Sequence, residues 1–185
     1  FGKFQGDEAL LHPVVTTLEK CYEIVDKANS EIIRRGRLFD THPERPDSLG
    51  DYNAVADEPL PQVLVMLDEF SAMVSASGGS KSQFAQRITS VAWRGLKFGV
   101  QLVLSGQDFT KDTVGPVAEQ MLTKIALKVM KGSTSRVVLG RNGAEHLRRP
   151  GQALTNRSSM LQLYFVGDDE ISPVQSSGMS ADEER

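Results

Sequence analysis

The chain has 185 residues, of which 39% are apolar and 24% charged, with a formal net charge of −3. This balance is typical of a globular protein with a sizeable core, and it provides no overall positive field, so any DNA-binding surface would have to be local. No apolar run approaches the roughly 18 residues that cross a bilayer, and the single Cys21 excludes an internal disulfide and any multi-cysteine metal site.

A long helix is predicted near the start of the chain. Thr16 and Glu19 form a capping box, and apolar residues then recur at helical spacing. Gly36 predicts the end of this helix, because glycine readily adopts the conformation that terminates helices. Residues 37–61 lack periodicity and are rich in Asp, Pro and Gly, which predicts a long loop with a helical turn near 49–54.

The most informative run is an apolar stretch, 63–67, that ends in two adjacent carboxylates, Asp68 and Glu69. An all-apolar strand is typical of a parallel sheet covered on both faces. Acidic residues at the carboxyl end of such a strand lie where α/β folds bind their ligands, and in P-loop ATPases they hold Mg²⁺ and polarise the attacking water. The alternative is a buried strand whose two acids simply meet solvent.

Strands and helices alternate through the rest of the chain, which favours a largely parallel sheet. A Ser- and Gly-rich loop is expected at 75–82, and a second apolar strand at 100–105 leads to Gln107. The other predicted elements are helices near 84–96, 114–122, 134–139 and 144–147, a strand at 124–130, and a closing hairpin of 151–155 and 160–166. The pattern predicts one domain of residues 1–166 and an acidic, flexible tail of residues 167–185.

Several of these segments together resemble the motor domain of the FtsK/SpoIIIE family of DNA translocases. They are Asp68-Glu69-Phe70, an Arg- and Gly-containing helix followed by the strand that ends in Gln107, Ser135-Arg136-Val137-Val138-Leu139, and Gly143-Ala144-Glu145. The resemblance implies an α/β fold with a RecA-like, largely parallel sheet flanked by helices and a C-terminal β-hairpin. The phosphate-binding motif Gly-x-x-x-x-Gly-Lys-Ser/Thr is absent from the sequence, which implies an incomplete P-loop NTPase core.

The resemblance assigns catalytic roles at the two strand ends. Asp68 matches the acid that holds Mg²⁺ through water, Glu69 the catalytic acid, and Gln107 the polar sensor of the γ-phosphate, although an ordinary strand-end residue is the alternative for Gln107. In the family, arginine commonly follows the sensor, whereas this chain has Asp108.

A site at a subunit boundary also needs a cation from the neighbour, since charge on the transferring phosphoryl group must be stabilised. Arg136 and Lys124 match the family positions for this cation. We prefer Arg136, because the family typically has arginine at the position of Lys124, and lysine lacks the bidentate fork of arginine. A plain surface salt bridge is the alternative for Arg136.

Three basic residues match the family's pore-loop regions and are therefore candidate DNA contacts: Arg35 and Arg37 at the end of the first helix, and Lys81 in the Ser- and Gly-rich loop. Such contacts to phosphates need only point charges and read no base sequence. The alternative for the two arginines is complementation of the helix dipole.

The resemblance implies ATP and Mg²⁺ as cofactors and double-stranded DNA as the partner of a homo-hexamer acting in the cytoplasm, with a membrane tether outside this chain as a further option. We expect the chain to be part of a longer protein and inactive alone, with an apolar sheet edge or face left uncovered. Two other functions stay open: a type VII secretion-like ATPase that moves protein, and a truncated, non-catalytic assembly or binding module.

Overall fold

The computed structural model describes residues 9–107 and 109–167. In chain order the helices and strands are α1 (Leu18–Thr41), α2 (Leu49–Val55), β1 (Val63–Leu67), α3 (Phe70–Ala76), α4 (Gln83–Arg94), β2 (Val100–Leu104), α5 (Lys111–Val114), α6 (Val117–Gln120), β3 (Ile125–Ala126), α7 (Gly132–Leu139), β4 (Gln152–Thr155) and β5 (Met160–Gln162). Short 3₁₀ helices at Gly95–Phe98 and Ala144–His146 precede β2 and β4.

The first helix begins one residue later and ends five residues later than the sequence predicts. Its N-cap is Thr17, whose hydroxyl accepts the backbone N–H of Lys20, rather than Thr16. Gly36 lies inside α1 and not at its end. The helix continues because Phe39, in the following turn, is 2% exposed and its ring stacks on that of Tyr52 at 5.0 Å, so tertiary packing overrides the glycine.

In the described residues the strands form two small sheets. β1 and β2 pair in parallel, in register from Val63 opposite Val100 to Leu67 opposite Leu104, and β3, β4 and β5 form an antiparallel sheet in that order. The α/β class, the parallel pairing and the C-terminal hairpin are confirmed, since β4 and β5 are adjacent and antiparallel.

The third strand is shorter than its apolar pattern predicts, and it joins the hairpin instead of the parallel sheet. Within residues 124–130, only Ile125 and Ala126 pair with β4. Farther along, the backbone N–H of Val129 donates to the carbonyl of Ala144 at 3.4 Å, so the chain there pairs with the 3₁₀ turn rather than with a strand.

The main core lies where α1 and α4 pack against each other and against one face of the parallel strands. Its most buried members are Val25, Ile32, Phe70, Val74, Phe84, Ile88, Val91 and Val100.

The other face of the parallel pair is open among the described residues. Leu64 and Met66 on β1 are 55% and 51% exposed, and Val103, opposite Met66 on β2, is 42% exposed. The expectation of cover on both faces is therefore wrong for this chain taken alone, while the expected uncovered apolar face is present.

An apolar cleft of about 320 Å³ lies between β2 and α6 on one side and β3 and α7 on the other. None of the helices in the described part of the chain is long and apolar enough to span a membrane. The predicted tail, 167–185, lies outside the described residues except for residue 167.

Candidate functional site

The carboxyl ends of β1 and β2 lie side by side because the strands are parallel and in register. Backbone hydrogen bonds continue past the ends of both strands: the backbone N–H of Ser105 donates to the carbonyl of Leu67 at 3.0 Å, and that of Phe70 donates to the carbonyl of Ser105 at 2.8 Å. The side chains that follow the two strands therefore share one edge of the sheet, where ligands bind in α/β folds.

Four polar side chains meet at this edge and form two hydrogen-bonded pairs. The Ser105 hydroxyl donates to Oδ1 of Asp68 at 2.5 Å, and Nε2 of Gln107 donates to Oε1 of Glu69 at 2.7 Å. Oδ1 of Asp68 also accepts the backbone N–H of Glu69 at 3.1 Å. All four residues are solvent-exposed, so a ligand could reach them. We call this group the acid–amide cluster.

The backbone at Glu69 has a conformation that few non-glycine residues adopt. Its φ of 53° and ψ of 38° place it in the left-handed region, at a cost of roughly 1–3 kcal/mol. The next residue, Phe70, is 1% exposed and begins α3, so the chain must turn sharply from strand to helix at Glu69. Although Glu69 is the N-cap of α3, its side chain makes no capping hydrogen bond, and its carboxylate bonds Gln107 instead.

The acid–amide cluster carries two carboxylates, Asp68 and Glu69. Neither Asp68 nor Glu69 forms a salt bridge within residues 9–107 and 109–167. No group of three or more His, Cys, Asp or Glu side chains gathers in a metal-binding arrangement in that same part of the chain. One or two carboxylates with a hydroxyl nearby suit Mg²⁺, which keeps several waters and binds few protein ligands.

The two candidate cations lie on α7 and at the apolar cleft. Arg136 is exposed on α7, and its Nε donates to Oδ1 of Asn142 at 2.9 Å. Lys124 is half-buried at the apolar cleft, where its backbone exchanges hydrogen bonds with Asn156. The described residues show no hydrogen bond or ion pair from either cation to the two acids. Asp108, which follows the sensor position, lies outside the described residues.

The prediction that Arg35 contacts DNA is wrong for this fold. The side chain is only 1% exposed; Nε donates to Oε1 of Glu31 at 2.6 Å and Nη1 donates to the carbonyl of Phe98 at 2.8 Å. Because α1 continues past Gly36, Arg35 lies inside the helix, on its buried face. It joins α1 to the 3₁₀ turn that precedes β2.

The carboxylate of Glu31, which accepts the hydrogen bond from Arg35, has a lowered pKa. Hydrogen bonds from Arg34 and Arg35 lower the pKa of Glu31 from its ordinary value of 4.5 to about 2, against a smaller opposing effect of burial.

The other two candidate DNA contacts are placed where a ligand could reach them. Arg37 is exposed in the last turns of α1, and Lys81 is exposed in the loop between α3 and α4. Neither side chain forms a salt bridge in the part of the chain that the structure describes.

Ser105 is a member of the cluster that the sequence prediction missed. Serine at a strand end is common and carries no signal by itself. The signal lies in the register: with Leu67 opposite Leu104, the next residues along each strand, Asp68 and Ser105, must also be neighbours.

No protein-family model matches the chain. A DNA translocase FtsK of Staphylococcus epidermidis is 29% identical over 185 residues, which cover 92% of this chain and 23% of the relative. Among solved structures, the pCW3 conjugation coupling protein TcpA with ATPγS superposes with a TM-score of 0.74 at 18% identity, over 85% of this chain and 48% of that one. The cytoplasmic domain of the Thermomonospora curvata type VII secretion ATPase EccC superposes with a TM-score of 0.63 at 26% identity, over 82% of this chain and 19% of that one.

These similarities confirm the resemblance stated from the sequence: the chain is related to DNA translocases named FtsK, and its fold matches part of the conjugation coupling protein and part of the secretion ATPase. The chain spans about a quarter of the length of the curated relatives that it matches.

Proposed function

We propose that this chain contributes the acid and sensor residues of an ATP-driven DNA translocase, in which ATP hydrolysis moves double-stranded DNA through a hexameric ring, as in chromosome segregation or conjugative transfer. The observation that carries the proposal is the acid–amide cluster, which gathers Asp68, Glu69 and Gln107 at one sheet edge. The similarity to DNA translocases named FtsK supports DNA as the cargo.

Each member of the acid–amide cluster has a role in this proposal. Asp68, oriented by Ser105, holds Mg²⁺ through water, and Glu69 orients the water that attacks the γ-phosphate. Bound Mg²⁺ supplies positive charge that offsets the charge of the phosphates. Gln107 now donates to Glu69; when its amide donates to the γ-phosphate instead, one carboxylate oxygen of Glu69 is released to accept from the attacking water.

The chain alone is expected not to hydrolyse ATP. Its sequence contains no Gly-x-x-x-x-Gly-Lys-Ser/Thr motif, the loop whose backbone N–H groups surround the phosphates in P-loop NTPases. The phosphate-binding loop has to be supplied by another part of the complete protein.

Arg136 is the cation that we assign to the neighbouring subunit's site. It is exposed, its two terminal nitrogens have no partner among the described residues, and an arginine fork can bind a phosphate through two hydrogen bonds. Lys124 suits this role less well, because it is half-buried at an apolar cleft and offers a point charge only.

Arg37 and Lys81 remain the candidate DNA contacts. With a net charge of −3 the chain has no general attraction for DNA, so a few exposed basic residues must supply it. We assign the complete protein to the cytoplasm, and a membrane tether elsewhere in that protein stays an option.

The test uses the complete ring-forming protein and measures ATPase activity against duplex DNA concentration at several salt concentrations. In Lys81→Ala and Arg37→Ala, the DNA concentration for half-maximal stimulation should rise, and the slope of log affinity against log salt should fall by about 0.9 for each phosphate that the variant no longer neutralises. Lys20→Ala, which removes an exposed lysine in the first turn of α1, is the matched control and should behave as the parent protein.

A second candidate function is a motor that moves protein, and the similarity to the secretion ATPase EccC supports it. That motor would show no stimulation by duplex DNA at any salt concentration, and its ATPase would respond to a protein substrate instead. An absence of DNA stimulation in the parent protein would therefore overturn the DNA assignment while leaving the hydrolytic roles of the acid–amide cluster intact.

A further inference from the structure

The loop that follows α7, residues 140–145, folds back against its own helix; we call it the α7 loop. Ser135 forms two hydrogen bonds to the backbone of the α7 loop, and its side chain is fully buried. Its hydroxyl donates to the carbonyl of Arg141 at 2.8 Å, and its oxygen accepts the backbone N–H of Ala144 at 3.1 Å. The attachment point therefore lies one residue before Arg136 on the helix.

A second set of contacts fixes the middle of the α7 loop. The backbone N–H of Gly143 donates to Oε2 of Glu145 at 2.8 Å, and this bond holds the pKa of Glu145 below its ordinary value. At Gly132, the first residue of α7, an added Cβ would lie 2.9 Å from Oε1 of Glu145 and 3.3 Å from Oδ1 of Asn142. The side-chain oxygens of Glu145 and Asn142 thus lie close to the start of the helix.

Asn142 uses this fixed position to bind Arg136. Its Oδ1 accepts from Nε of Arg136 at 2.9 Å, which is the only side-chain bond of this guanidinium among the described residues. A bond to Nε restrains the plane of the guanidinium and leaves both terminal nitrogens free. Those two nitrogens form the fork that binds a phosphate through two parallel hydrogen bonds.

We propose that Asn142 is a positioning residue that holds the guanidinium of Arg136 ready for the γ-phosphate of ATP in the neighbouring subunit. The inference rests on the proposed function, in which Arg136 acts across the subunit boundary. Asn142 does not touch the nucleotide itself. Its contribution is to restrain a long, exposed side chain that would otherwise sample many rotamers, so that less conformational freedom is lost when the phosphate is bound.

The test measures steady-state ATPase activity of the complete protein with saturating duplex DNA, in Asn142→Ala, Arg136→Ala and the double variant. Arg136→Ala should lower kcat by about 100-fold or more, as expected for a trans-acting arginine. Asn142→Ala should lower kcat by about 5- to 10-fold with KM within about 2-fold of the parent, since one hydrogen bond to a charged group is lost at an exposed position. Ser133→Ala, an exposed residue on the same helix, is the control and should have no effect.

The double variant separates positioning from a merely structural role. If Asn142 acts through Arg136, the double variant should be no slower than Arg136→Ala, because removing the guanidinium also removes the reason for holding it. A double variant that is slower by the full product of the two effects would show that Asn142 supports activity by another route.

The outcomes distinguish this inference from the proposed function. A normal kcat in Arg136→Ala would overturn the assignment of Arg136, and with it the role of Asn142. A low kcat in Arg136→Ala together with a normal kcat in Asn142→Ala would overturn the positioning role alone. Asn142→Asp gives a further readout: the added charge pairs with the guanidinium and competes with phosphate, so its KM for ATP should rise, whereas a merely structural role would leave KM unchanged.

Discussion

Replacing Arg35 with alanine should destabilise the chain strongly, although arginine is usually a surface residue. The guanidinium is 1% exposed and bonds both Glu31 and the carbonyl of Phe98. Truncation leaves the Phe98 carbonyl without its side-chain partner, at a cost of about 1–3 kcal/mol. Breaking a fully buried ion pair costs about 3–5 kcal/mol, but Glu31 is 26% exposed and keeps Arg34, which reduces that cost. We therefore expect a decrease of about 2–4 kcal/mol in the free energy of unfolding.

Arg34→Ala is the matched control, because Arg34 binds the same carboxylate from the neighbouring position on α1. Its side chain is 52% exposed, so its removal should cost about 0–1 kcal/mol. Both variants are compared with the parent chain by urea denaturation, with the free energy of unfolding obtained by linear extrapolation. If the two variants agreed within about 0.5 kcal/mol, the buried role assigned to Arg35 would be refuted.

Two further stability predictions follow from the same region. The pKa of Glu31 is lowered to about 2, so the stabilisation by its ionised carboxylate is fully present above the ordinary pKa of 4.5 and is lost as the pH falls from there through about 2. Glu31→Gln should therefore be less stable than the parent at pH 7 but nearly as stable as the parent near pH 2. A difference in urea midpoints that stays constant between pH 7 and pH 2 would contradict this prediction. At Gly95 an added Cβ would lie 2.2 Å from the carbonyl oxygen of Val100, so Gly95→Ala should shift the backbone that leads into β2 and cost several kcal/mol by thermal or urea denaturation. Gly50→Ala in α2, where an added Cβ would meet only the Ser48 hydroxyl at an ordinary 3.7 Å, should be neutral or stabilising by up to about 1 kcal/mol, and similar destabilisation in both variants would contradict the packing argument.

The acid–amide cluster could be predicted from the sequence because it depends on local signals. An apolar run that ends in acids, and a second run that ends in an amide, must come together when the strands are parallel neighbours. Ser105 could not be identified in this way, since its partnership with Asp68 depends on the register and on nothing distinctive in its own neighbourhood.

The predictions from sequence were wrong where contacts between residues far apart along the chain determine the local structure. Gly36 favours a helix end locally, but packing of Phe39 on Tyr52 extends the helix. Arg35 belongs to a basic run in the sequence, yet its burial comes from Phe98, more than sixty residues away along the chain. The predicted strand at 124–130 is cut short because Val129 finds its hydrogen-bond partner in the turn at Ala144.

In the proposed mechanism Glu69 activates the attacking water, and the decisive variant is Glu69→Gln in the complete protein. The measurement compares ATP binding with single-turnover hydrolysis in the presence of duplex DNA, and Glu119→Gln, an exposed residue on α6, is the matched control. We expect Glu69→Gln to bind ATP within about 3-fold of the parent and to hydrolyse it about 10²- to 10⁴-fold more slowly, while the control is unchanged. Hydrolysis by Glu69→Gln at close to the parent rate would show that Glu69 does not activate the water.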